Sequence, residues 1–191
     1  MGTSSNHRSP NTPNWNLTRS VLGNTQVSED LQSREIWRAA IADRGDVLKS
    51  DLGMPLLAAA CDIAGRATSA SEALNRFEQS VLSNHAASLT LDLGKRALAR
   101  AVATKSGADG FAAELFAETA AYYASRDLPS FVASVGRVNT TTEAIMLKEK
   151  LMNLARKAAQ SVPVRTDPAG WKDYISRVLS TLQKERKKGK E

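Results

Sequence analysis

From Ser28 onward, apolar positions recur at three- and four-residue spacing through most of the chain, as expected of helices that each bury one face. Ser28, Glu29 and Asp30 open the first helix, since acidic groups suit the positive end of a helix dipole, and Leu31, Ile36, Trp37, Ala40 and Ile41 supply its apolar positions. Its end is expected near Asp43 to Gly45. A second helix is expected to begin around Ser50 to Pro55, with Asp51 able to cap and Pro55 tolerated in a first turn, and to run through Leu56, Leu57, Ala60 and Ile63 to about Gly65. Ser69-Ala70-Ser71-Glu72 is a capping-box pattern, followed by Leu74, Phe77, Val81 and Leu82 on one face and a stop at Asn84.

The segment from about Ala86 to Thr104 repeats Leu89, Leu93, Leu98 and Val102 at helical intervals, with Gly94 as a weak point. Ala108 to Ser125 follows, presenting Phe111, Leu115, Phe116, Ala120 and Tyr123 to a core. Asp127-Leu128-Pro129 predicts a short helix stopped near Gly136. Thr140-Thr141-Thr142-Glu143 is a second capping box ahead of Ile145, Met146, Met152, Leu154 and Ala158. Pro163 and Pro168 punctuate the chain, and a last helix over about Ala169 to Lys187 turns Trp171, Ile175, Val178, Leu179 and Leu182 inward. Short connections imply antiparallel neighbours. The pattern thus predicts an all-α compact bundle of seven or eight helices over residues 28–183, with a flexible N-terminal tail and transition over 1–27 and a basic C-terminal tail over 184–191.

The first fifteen residues, Met1 to Trp15, have neither helical nor strand period. Their Asn, Ser, Thr and Pro residues cannot bury enough surface to offset the entropy of ordering. Gly2 is small enough for removal of the initiator Met, which exposes a glycine amine with a pKa of about 7.7–8, far more nucleophilic at neutral pH than a lysine. The myristoylation pattern fails because Asn6 stands where Ser or Thr is required. A secretory signal is also missing, since no apolar run separates Met1 from Trp15.

Met1-Gly2-Thr3-Ser4-Ser5, the Ser/Pro/Asn-rich stretch after it and Trp15 resemble the start of QatB-type anti-phage defence proteins, over roughly fifteen of the 191 residues. The pattern departs in having Ser9-Pro10 where Gly-Pro is expected, and in lacking a long Pro-rich linker. The resemblance implies that a QueC-like partner, related to deazaguanine synthesis enzymes, attaches a modified nucleobase to Gly2. It also implies an ATPase encoded in the same defence operon. Thr3, Ser4 and Ser5 would then contact the modifying partner, residues 3–14 would enter its cleft, and the helical body would serve as a docking handle.

Composition adds few constraints. The formal charge is +6, and half of it sits at the C-terminus, where Lys184, Arg186, Lys187, Lys188 and Lys190 stand with Glu185 and Glu191 for a net +3. That run suits a solvated helix end, with phosphate or an acidic partner as the alternative. Trp15, Trp37 and Trp171 are too scattered for a base-stacking platform. The lone cysteine, Cys61, cannot form an internal disulfide and lies in an apolar run that suits burial. The sequons at Asn16 and Asn139 carry little weight without a secretion signal, and a soluble protein of a reducing cytoplasm is expected.

The search for catalytic chemistry returns little. His7 and His85 lack partners at metal-ligand spacing, Gly94-Lys95-Arg96 lacks the rest of a phosphate loop, and no G-x-S-x-G occurs. Glu114 and Glu118 share a helix face at i,i+4, a spacing compatible with a carboxylate metal site but missing the Glu-x-x-His partners, so a solvated acidic face is expected. Arg34 with Arg38, and Arg96 with Arg100, form two i,i+4 pairs that suit solvated faces, with acidic partners or phosphate as the alternative. Tyr122-Tyr123 pairs one core position with one interface position. Neither a catalytic residue nor a cofactor or metal is expected. The functional expectation is a non-enzymatic protein presenting Gly2, and its alternative is a helical adaptor or scaffold touching nucleic acid through its basic end.

Overall fold

The computed structural model describes residues 29–81, 89–127 and 140–184. They form seven helices: α1 (Glu29–Leu52), α2 (Pro55–Arg66), α3 (Ala70–Val81), α4 (Leu89–Ala103), α5 (Gly107–Asp127), α6 (Thr141–Gln160) and α7 (Pro168–Gln183). The fold is all-α, with no strand among the described residues. The N-terminal tail, the expected short helix over residues 128–136 and the run after Lys184 lie outside the described residues.

The first expected boundary is corrected. Helix α1 does not stop at Gly45 but continues to Leu52, so Asp51 lies inside it and does not cap α2. Trp37, Ile41, Leu48 and Leu52 are all buried and keep one helical face in register across the glycine. Burial along that face outweighs the cost of about 1 kcal/mol for an interior glycine. The helix ends at Gly53, whose N–H bonds the Lys49 carbonyl at 3.0 Å, and Met54 is held extended (φ −60°, ψ 136°) ahead of Pro55.

Capping follows the sequence in one case and departs from it in another. At α6 the box is reciprocal: Glu143 N–H donates to Thr140 Oγ1 and Thr140 N–H donates to Glu143 Oε2, both at 3.2 Å. At α3 only half forms. Ser69 Oγ accepts from Glu72 N–H, but the Glu72 carboxylate turns to Thr68, taking its hydroxyl at 2.7 Å and its N–H at 3.3 Å. Helix α7 begins with Asp167, which accepts from Gly170 N–H at 2.8 Å, and with Pro168 at its first position.

Helix α5 is the centre of the bundle and packs against α2, α4 and α6. Phe111, Leu115, Phe116 and Ala120 are buried as expected, and so are Ala112, Ala113 and Ala117 on other faces, whose small side chains let neighbouring helices approach from several sides. Gly94 of α4 serves the same end: a Cβ there would come within 2.9 Å of Leu57 Cδ2 in α2 and 3.5 Å of Phe77 Cζ in α3. The residue that lowers helix propensity is therefore the one that lets three helices meet.

Helix α6 corrects the expected face. Ile145 and Met146 are about half exposed, at 47% and 49%, whereas Leu147, Leu151, Ala155, Ala158 and Ala159 are buried. Helix α7 buries every expected position and adds Tyr174, whose O–H donates to the Ala159 carbonyl at 3.2 Å. Trp171 Nε1–H donates to the Leu52 carbonyl at 2.8 Å. The start of α7 thus meets the ends of both α1 and α6, and Leu179 to Gln183 share a groove with Ile41 to Lys49, so α7 runs antiparallel to α1.

The turn between α4 and α5 closes with Ser106 N–H bonding the Ala101 carbonyl at 2.9 Å and Lys105 N–H bonding the Val102 carbonyl at 3.1 Å. This is the Schellman arrangement, and it puts Lys105 in the left-handed region at φ 53°. Glycine suits that position better, because a Cβ there meets the neighbouring carbonyl. Lys105→Gly is expected to stabilise the protein by about 1 kcal/mol, read as a higher urea midpoint with an unchanged slope. A lower midpoint would show that the lysine side chain has a packing role.

Candidate functional site

The sequence offered three sets of chemical groups in the body, and the fold assigns each a place. Cys61 is fully buried in α2, with its S–H directed at the Ala108 carbonyl 3.5 Å away. Burial, with the charges of Asp109 and Asp62, pushes the thiol pKa up to about 12, so the reactive thiolate is scarce at neutral pH. The expectation of a small buried apolar group holds. Tyr174 is also raised, first by burial and then by Cys61 and Asp109, and remains a neutral donor to Ala159.

Glu114 and Glu118 do not form a solvated acidic face. Glu118 is buried, at 4% exposure, and Glu114 is half-buried. Arg156 reaches across from α6 with a bidentate grip on Glu114, Nε to Oε1 at 2.7 Å and Nη2 to Oε2 at 3.1 Å, while its Nη1 donates to Asn153 Oδ1 at 3.0 Å. Arg100 of α4 lies between the two acids, 3.4 Å from Glu114 Oε2 and 2.9 Å from Glu118 Oε1. The Glu118 contact is close but lacks hydrogen-bond geometry, so charge alone holds that oxygen. Thus α4, α5 and α6 are joined by two carboxylates and two guanidiniums, a balanced set with no net charge.

Burial pushes the Glu114 carboxyl up, but the Arg156 hydrogen bonds and the charges of Arg156 and Arg100 outweigh it and hold the group below the usual carboxylate range. The same pair raises Arg156. A depressed carboxylate contributes stability above its unfolded pKa, and the contribution is lost as pH falls through the folded value. The stability difference between wild type and Glu114→Gln is therefore expected to be largest near neutral pH and to shrink below about pH 4. Denaturation midpoints of both proteins across that range check it; a difference that grows on acidification would refute the assignment.

The Arg96–Arg100 pair also separates. Arg96 is held at the surface by Asp92 at 2.7 Å, whereas Arg100, one turn on, faces α5. Sequence reasoning did not find Arg156, since its partner Glu114 lies 42 residues away and the ion pair exists only when α5 and α6 pack together. Gly2, Thr3, Ser4, Ser5, His7 and His85 lie outside the described residues. Among the described residues no cluster of three or more His, Cys, Asp or Glu could hold a metal ion, and no helix is long and apolar enough to cross a membrane.

These features define an all-α bundle stapled by a partly buried carboxylate–guanidinium network. No family model, curated protein or solved structure matches the chain.

Proposed function

We propose that this chain is a non-enzymatic component of a bacterial anti-phage defence system that presents the N-terminal amine of Gly2 to a QueC-like modifying partner, with an ATPase as a further partner. The observation that carries the reading is the Met1-Gly2-Thr3-Ser4-Ser5 opening placed ahead of a helical body. Within the body, Cys61 is buried with its thiol pKa raised, and Glu114 and Glu118 are engaged by Arg156 and Arg100. In this reading Gly2 is the acceptor, Thr3, Ser4 and Ser5 are held by the partner, and the helical bundle is the handle that the partner grips.

Intact mass after co-expression with the neighbouring genes tests the proposal. An added mass that maps to Gly2 and disappears in Gly2→Pro supports it, while a mass equal to the Met-cleaved chain refutes it. Deleting residues 2–14 is expected to change the stability of the body by less than about 1 kcal/mol, because no core-forming period runs through them. A truncated chain that folds but has lost biological activity places the information in the tail. Unfolding on truncation would remove the physical basis of a presented tag.

A further inference from the structure

Along the outer side of α7 lies an open surface groove of about 430 Å³, lined also by the turn that joins α6 to α7. Val162 and Pro163 of that turn form its apolar wall. Ser161, Ser176, Ser180 and Thr181 line it with hydroxyls, and Arg177 and Lys184 supply its charge; no carboxylate is among its lining residues. Lys184 has no acidic partner among the described residues. Arg177 is held only by the exposed Asp173, Nε to Oδ2 at 2.8 Å, a type of pair that contributes little and exchanges readily with an incoming carboxylate.

The hydroxyls decide what kind of chain fits. Each already donates its proton to a backbone carbonyl: Ser161 to Ala158 at 2.7 Å, Ser176 to Lys172 at 3.1 Å, Ser180 to Ser176 at 2.9 Å and Thr181 to Arg177 at 3.0 Å. What they offer a ligand is therefore oxygen lone pairs, which accept hydrogen bonds. A phosphodiester backbone carries acceptors alone and would engage only the two cations. A peptide carries both N–H donors for the hydroxyl oxygens and, where it is acidic, carboxylates for the cations.

We propose that this groove binds an extended acidic segment of a partner protein, with backbone N–H groups on Ser176, Ser180 and Thr181 and carboxylates on Arg177 and Lys184. The assignment does not depend on Gly2, and its failure would leave the modification reading untouched. Fluorescence anisotropy of the full chain with a labelled peptide of alternating Glu and Val, at low salt, tests it. Arg177→Glu and Lys184→Glu are each expected to weaken binding about tenfold, the scale of one charge-assisted contact. Ser176→Ala with Ser180→Ala, exposed or half-exposed changes that favour the helix, are expected to weaken the peptide several-fold and to leave binding of a single-stranded oligo-dT unchanged. N-methylation of alternate peptide bonds is expected to have the same effect as the serine changes. Peptide binding indifferent to the serine changes, or oligo-dT binding tighter than the peptide at equal salt, would overturn the proposal, the latter in favour of a nucleic-acid contact.

Discussion

Trp171→Ala is expected to destabilise the protein by about 4 kcal/mol, within the range for deleting a large aromatic from a packed core. Trp171 is fully buried, lies 5.3 Å from the Tyr174 ring in a stacked arrangement and 6.1 Å from Phe111, and bonds the Leu52 carbonyl. Its loss opens a cavity where α1, α5 and α7 meet and leaves a buried carbonyl without its donor. Trp171→Phe keeps most of the packing and loses the hydrogen bond, so a smaller cost of about 1–2 kcal/mol is expected. Urea denaturation followed by far-UV circular dichroism measures both. Equal costs for the two variants would mean that the hydrogen bond, not the ring volume, dominates.

Arg100→Met is expected to cost about 2–3 kcal/mol, somewhat below the range for breaking a buried ion pair because the Arg100 side chain is itself half exposed. The reason is asymmetric: the guanidinium can return to water, but Glu118 is left buried without its nearest counter-charge. Adding Glu118→Met is expected to recover much of the loss, since a buried pair replaced by apolar groups of similar volume is often neutral. The double-mutant cycle reads the coupling directly. If the double variant is as unstable as the sum of the singles, the two residues act independently and the network is not a unit.

Such tests bear on a site that the sequence showed only in part. The i,i+4 spacing of Glu114 and Glu118 was visible, and so was that of Arg96 and Arg100. Which of them would be buried was not, because spacing along one helix does not say what packs on its face. Arg156 in particular looks like an ordinary surface residue of an amphipathic helix until α6 is laid beside α5.

What the sequence determined by itself was the local structure: helical period, the Thr140 capping box, the all-α class, and the inward positions of α5 and α7 through Phe111, Phe116, Trp171 and Leu182. These depend on interactions within a few residues, which spacing and capping chemistry record directly. Tertiary structure decided the rest. It carried α1 past Gly45 by burying Leu48 and Leu52, turned Ile145 and Met146 of α6 partly outward, gave Gly94 its purpose against Leu57 and Phe77, and converted two apparently solvated acids into the link between three helices. Each of these outcomes rests on contacts between residues distant in sequence, whose burial energy outweighs local propensity only once the helices have packed.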